Sequence, residues 1–250
     1  MKKNIVLLSF TFLLFNSCNL FETAVYVEFQ AFWEDQRIAE LSQWEFTTES
    51  GEVIIIDDLK YVVSQIHLKR KNRNKVYVLE EQAFGNILGL PLQVSTGDIP
   101  NGQYEISFVF GLQAEYNVEN PLYGIPDSFL IPEELGGGYD FMQLNGRYQD
   151  QNNELQPFEF HVTNAVNMSQ SGSITIEDTS YVVNLGTHRL VGGPFTSIVQ
   201  IKMNIAEWFR NPNTWNFSEL NTNLDTNYEA QLRMKENGQN VFSILNIYSD

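Results

Sequence analysis

Tyr61-Val-Val-Ser-Gln-Ile-His-Leu-Lys69 puts Val62, Ser64, Ile66 and Leu68 on one side of an extended chain and Tyr61, Val63, Gln65 and His67 on the other. A period of two in β-branched and aliphatic residues marks a strand with two unlike faces, and does not fit a helix. The alternation recurs in both directions. Upstream, Val25, Val27 and Phe29 alternate with Tyr26, Glu28 and Gln30, and Val-Ile-Ile-Ile lies between Glu52 and Asp57. Downstream it returns in 75–79, 104–112, 139–144, 158–162, 174–176, 181–185, 197–203 and 241–248. Asn101-Gly102, Asn145-Gly146 and Asn237-Gly238 read as turns between such runs. One segment breaks the pattern. Asn204-Ile-Ala-Glu-Trp-Phe-Arg-Asn-Pro212 has a capping residue, a glutamate three places on and a closing proline, and predicts a short helix. The whole predicts an all-β chain: an antiparallel β-sandwich with one short helix and long loops. The longest loop expected is 113–138, with Pro121, Pro126, Pro132 and glycines at 136–138; a loop of that length is commonly functional.

The 250 residues carry 15 Lys+Arg against 31 Asp+Glu, a formal charge of −16. That sign excludes a sequence-independent binder of nucleic-acid backbones. Charged residues are 18% of the chain and aromatics 13%, the balance of a folded, secreted-type β protein rather than an acidic disordered tail. The amino terminus reads as an address. Lys2 and Lys3 precede the apolar run Ile5–Phe15, which is too short to span a bilayer and has the anatomy of a secretory leader. Leu14-Phe-Asn-Ser-Cys18 is similar to a bacterial lipobox, in which Cys18 is lipidated and becomes the first mature residue. A lone cysteine in a secreted chain otherwise invites unwanted pairing, and lipidation removes that problem. The expected division is a lipoprotein signal peptide at 1–17, an anchor and short tether at 18–24, and a single domain at 25–250. Losing the leader takes Lys2 and Lys3 with it and deepens the charge from −16 to −18. Such a body is repelled by anionic headgroups. No acidic run follows the cysteine, which favours the periplasmic face of the outer membrane.

Several chemistries are excluded. There is no G-x-S-x-G, H-E-x-x-H, P-loop or post-strand G-x-G-x-x-G. With Cys18 committed to the anchor, no thiol nucleophile or thiolate metal site remains. The acidic pairs Asp57-Asp58, Glu80-Glu81 and Glu133-Glu134 are expected to point to opposite faces of strands or to be solvated, so no catalytic carboxylate is assigned and the chain is not read as an enzyme. Asn221-x-Asn223-x-Asp225-x-Asn227 alternates like a calcium loop but lacks its glycine and its bidentate glutamate, and reads as a polar turn. The histidines are His67, His161 and His188, too far apart in sequence to form a spacing motif. His67 reads as solvent- or partner-facing and His188 as a turn residue. Trp208 and Phe209 read as core anchors, and Trp33 as core or a stacking platform.

From about residue 25 to 247 a series of short signatures resembles the MbnP-like family of secreted or lipid-anchored, copper-associated proteins. They are Asp58-Leu-Lys-Tyr-Val-Val-Ser-Gln-Ile-His-Leu68, Tyr104-Glu-Ile-Ser-Phe-Val-Phe-Gly-Leu112, Gly136-Gly-Gly-Tyr-Asp-Phe-Met-Gln-Leu-Asn-Gly146, Phe158-Glu-Phe-His-Val162 and Ile201-Lys-Met-Asn-Ile-Ala-Glu-Trp-Phe-Arg-Asn-Pro212. The resemblance implies a β-sandwich, an extracytoplasmic location and, in some members, a copper site with histidine and a modified tryptophan. It also implies an envelope redox or uptake protein as partner.

The chain departs from that pattern. No tryptophan occurs between residues 45 and 207, Asp140 stands where related sequences can place a histidine after Gly-Gly-Gly-Tyr, and there is no Trp-x-His. His161 is the family histidine that carries over. It shares a strand face with Glu159, and it joins Asp140 as the candidate metal pair, because imidazole and carboxylate both suit Cu(II) or Zn(II). The expectation is therefore a non-catalytic, lipid-anchored binding protein for copper or another transition metal. The alternative is a metal-free module that binds a glycan or a protein of the cell envelope.

Overall fold

The computed structural model describes residues 22–38, 44–87, 91–118, 124–168, 174–191 and 196–250. The leader, Cys18 and residues 119–123 of the long loop lie outside the described residues. In chain order the strands are β1 (Glu22–Thr23), β2 (Val25–Trp33), β3 (Gln36–Arg37), β4 (Trp44–Thr47), β5 (Val53–Arg70), β6 (Val76–Asn86), β7 (Leu92–Ser95), β8 (Ile99–Pro100), β9 (Gly102–Phe110), β10 (Met142–Gln149), β11 (Leu155–Val162), β12 (Ala165–Met168), β13 (Ile174–Glu177), β14 (Tyr181–Leu190), β15 (Ser197–Asn204) and β16 (Phe242–Ser249). A helix α1 (Tyr228–Gly238) precedes β16.

Two sheets carry the fold. The larger runs β11-β10-β5-β9-β14, with β4 and β6 also paired to β5; the smaller runs β16-β15-β2-β3, with β7 on β2. All these pairings are antiparallel except β15 with β2. The sheets face each other through aromatics. Phe29 of β2 meets Phe108 of β9 edge-on at 5.1 Å, and Phe108 meets Phe242 of β16 at 5.1 Å. Such geometry adds to the burial of the rings themselves. A second aromatic group closes the β10–β11 end, where Phe160 packs on Phe209 and Trp215, and Phe158 on Phe217. The β-sandwich expected from the alternation is present.

Three local readings change. The alternating runs at 52–57 and 61–69 form one strand of 18 residues, β5. It stays continuous through a bulge, because Asn145 pairs with Asp58 and Gly146 with Ile56, leaving Asp57 as the extra residue. The bulge shifts the side-chain parity: Ile54 and Ile56 are buried before it, Leu59 and Tyr61 after it. Asp57 and Asp58 therefore both lean outward instead of to opposite faces, and each meets a cation, Arg147 at 2.6 Å and Lys60 at 2.5 Å. Asn145-Gly146, read as a turn, sits inside β10 at this bulge.

The helical segment also differs. Residues Ile205–Phe209 form a single 3-10 stretch, and Asn204 makes no cap bond there; its amide instead accepts from Glu34 N at 2.8 Å. The α-helix forms later, over Tyr228–Gly238, capped by Asn227, whose side chain accepts from Ala230 N at 3.1 Å. Its Glu-Ala-Gln-Leu-Arg-Met-Lys-Glu run has good helix propensity. Ala230, Gln231, Met234 and Asn237 supply the buried stripe. Asn237-Gly238 is the end of this helix rather than a hairpin turn.

Candidate functional site

The period-two rule determines what β11 shows to each side. Phe158, Phe160 and Val162 are buried, while Glu159 is exposed and His161 half-buried on the opposite face. Across the ladder, His161 pairs with Gln143 and Glu159 with Asn145 of β10. His161 Nε2 lies 2.9 Å from Asn145 Oδ1. In the neutral tautomer that donates to this amide oxygen, the proton is on Nε2 and the ring's lone pair is on Nδ1.

β11 ends the larger sheet, so its outer backbone groups need partners from elsewhere. Segment 221–231 supplies them. Glu159 N donates to Asn221 O at 2.7 Å, Thr163 N donates to Gln231 Oε1 at 2.9 Å, and Gln231 Nε2 donates to His161 O at 2.8 Å. The same Nε2 donates to Leu224 O at 3.1 Å, which ties the 3-10 turn Leu224–Thr226 to the strand edge. Asp225 sits on that turn, within electrostatic reach of His161 and Glu159. The polar turn expected from sequence is thus real, yet it also brings a carboxylate to the candidate histidine.

Gln231 is fully buried and satisfies three backbone groups. Gln231→Leu keeps the volume and strands all three, at about 1–3 kcal/mol for an unpaired buried group. The expected result is a fall in Tm of about 4–10 °C in a chain this long. An unchanged Tm would mean that the segment is held without this clip.

Asp140 precedes β10. Its amide donates to Phe129 O at 2.8 Å, and its Oδ2 accepts from Gln143 Nε2 at 2.6 Å. The residue is 6% exposed, and Oδ1 has no hydrogen-bond partner among the described residues. Burial raises its pKa to about 7; the Gln143 bond opposes the rise and the charge of Asp225 adds to it. Burial likewise lowers the His161 pKa, with Asp225 and Glu159 partly offsetting it, so the imidazole is neutral at pH 7. Burial raises the Asp225 carboxyl, His161 opposes this, and Glu159 reinforces it.

No contact joins Asp140 to His161, the expected pair, among the described residues: Gln143 bonds to Asp140 and is the cross-strand partner of His161, and Asp225 acts on both only through its charge. Among the described residues, no three His, Cys, Asp or Glu side chains converge closely enough to hold one ion. The other candidates lie elsewhere. His67 is half-buried on β5 where it pairs β6 and β9. His188 belongs to β14, not to a turn after it, and its Nε2 lies 2.7 Å from Leu185 O. Trp33 is buried, stacked on Phe46 at 4.6 Å, and Trp208 is fully buried, so both are core residues. Sequence reasoning undervalued Asp225; the signal was the alternation of 221–227, whose relation to His161 exists only in three dimensions.

The family profile described as MbnP matches residues 22–231. Among solved structures, MbnP from Methylosinus trichosporium is similar at 10% identity, with a TM-score of 0.49, covering 75% of this chain and 77% of that one. No curated protein matches the sequence.

Proposed function

The chain belongs to the MbnP family, and from that premise we propose that it is a non-catalytic binding protein of the cell envelope whose cargo is a transition-metal cation of the copper class. The observation that carries this reading is His161: a half-buried imidazole whose Nε2 lies 2.9 Å from Asn145 Oδ1, with the Asp225 carboxylate within electrostatic reach. Asp140 adds a buried carboxylate oxygen without a partner. Imidazole with carboxylates is a donor set that suits Cu(II) and Zn(II). Among the described residues the donors do not close a cage, and a structural metal site is normally closed. The site is read accordingly as one that takes up an ion and passes it on. Non-catalytic action agrees with Asp57 and Asp58 being engaged by Arg147 and Lys60. Lipid on Cys18 would tether the protein to the periplasmic face of the outer membrane, and an envelope redox or uptake protein is the partner such a carrier needs.

That no three donors converge among the described residues also favours a second reading, a metal-free module for a glycan or a protein. Metal analysis separates the two. The chain from residue 19 onward, loaded with Cu(II), Cu(I) or Zn(II) and desalted, is expected to retain about one copper. His161→Ala and Asp225→Asn should both lose it. Absence of retained metal in the unaltered protein would sink the cargo reading and leave the metal-free one.

A further inference from the structure

Lys69, Arg70, Lys71, Arg73 and Lys75 place five of the chain's 15 basic residues within seven consecutive positions, in a protein that carries 31 acidic ones. They sit at the tip of the β5–β6 hairpin. Arg70 N donates to Lys75 O at 2.9 Å to close it, Asn72 takes φ 61° within it, and Lys71 N donates to Gln103 O at 2.8 Å, which ties the tip to β9. Lys69, Arg70, Lys71 and Arg73 line a cleft of about 390 Å³ together with Asn72, Asn74, Glu105 and Thr187.

The clustering of unpaired cations sets this tip apart. Lys60, Arg147, Lys202 and Arg210 each have a carboxylate within ion-pair distance. Among the described residues none of the five tip cations does, nor do Arg37, Arg189, Arg233 and Lys235, but only at the tip do five such cations fall within seven positions. Arg70 Nη2 reaches only a backbone carbonyl, Asn101 O, at 3.4 Å, and Lys75 lies over the Tyr77 ring at 5.1 Å. Glu105, the one carboxylate in the lining, is the cross-strand partner of Lys69 and accepts from Asn184 at 2.7 Å, so one negative charge stands against the four cations of the cleft. With acidic residues in twofold excess, neutralising neighbours were available in number. Unneutralised like charges this close raise the local potential and favour a bound anion.

We propose that this cleft is a binding site for a compact, phosphate-bearing ligand. Its lining holds four cations against one carboxylate, with amide and hydroxyl groups from Asn72, Asn74 and Thr187 that can donate as well. That matches a group with several anionic oxygens and no protons to give. A polyanion with an extended surface is disfavoured: an acidic protein or a nucleic acid would face the rest of a body whose formal charge is −16. A single phosphate or diphosphate group reaches the tip alone.

The test uses the purified full chain and calorimetric titration with inorganic pyrophosphate at low salt. Lys71 and Arg73 are exposed turn residues, so the double variant Lys71→Gln/Arg73→Gln should retain the native Tm. The expected result is saturable binding that weakens as salt is added and falls at least about tenfold in the double variant. Arg233→Gln, which removes an exposed charge on α1, should leave it unchanged. Vesicles of phosphatidylcholine, with and without phosphatidic acid, distinguish the source, because any contribution of the amino terminus is common to both. Extra binding to phosphatidic acid that the double variant loses assigns a lipid headgroup; pyrophosphate binding without that difference assigns a soluble phosphate compound. Binding to neither probe, binding that survives the double substitution, or tighter binding to polyglutamate than to pyrophosphate overturns the proposal.

Discussion

Asp140→Asn is expected to stabilise the protein at pH 8 and to leave its stability nearly unchanged at pH 4. The carboxyl is 6% exposed, receives one hydrogen bond from Gln143 and has an unpartnered Oδ1. Its pKa is about 7 in the fold against an ordinary 3.8, mainly because burial disfavours the charge. The sign follows from proton uptake. Below about pH 4 both folded and unfolded states hold the proton, and there is no penalty. Between 3.8 and about 7 the unfolded chain releases the proton that the folded chain keeps, so stability falls as pH rises through this window. Above it both states are ionised and the fold bears the whole cost, of order 4 kcal/mol for a displacement from 3.8 to about 7. Asparagine carries no charge at any pH and keeps an oxygen for Gln143. A gain of about 2–4 kcal/mol at pH 8, or roughly 5–12 °C in Tm, is expected. Thermal melts at pH 4 and pH 8 decide the matter. An equal effect at both values, or none at pH 8, would show that Asp140 is not a buried, charge-averse carboxyl. The gain also identifies a cost that a bound cation would relieve in the unaltered protein.

Gly146→Ala is expected to cost about 3 kcal/mol or more, read as a Tm lower by about 6–12 °C. A Cβ at this position would lie 2.1 Å from Ile55 O and 2.7 Å from the Phe158 ring. The carbonyl is backbone in the central strand β5, and moving it breaks the ladder between β5 and β10. The ring is in the aromatic group with Phe217, so it cannot retreat without opening the core. Gly97→Ala is the control, since a Cβ there meets nothing within 4 Å. That change should stay within about 0.5 kcal/mol. Equal melting temperatures for the two variants would mean that the β5 bulge is looser than its geometry indicates.

The same glycine shows where local reading stops. Asn-Gly is the commonest two-residue hairpin signal because both residues accept positive φ. At 145–146 the glycine answers a different need, room for a neighbouring strand's carbonyl, and no residue close in sequence reports that neighbour. The helix at 228–238 had local signals in Asn227 and its run of helix formers, but 11 residues are marginal alone. Packing of Ala230 and Met234 in the core holds it.

The chain by itself determined that it is all-β, that Glu159 and His161 share a face opposite Phe158, Phe160 and Val162, and that its family resemblance runs through those residues. Period-two alternation is a property of one strand and needs no partner to be read. The tertiary structure alone decided that Asp57 and Asp58 lie on the same side, that Asp225 comes within electrostatic reach of His161, and that five cations at one hairpin tip have no ion pair among the described residues. Each of these depends on a bulge, an edge or a charge balance set by segments distant in sequence. Sequence spacing carries no information about distances across a sheet until the register is known.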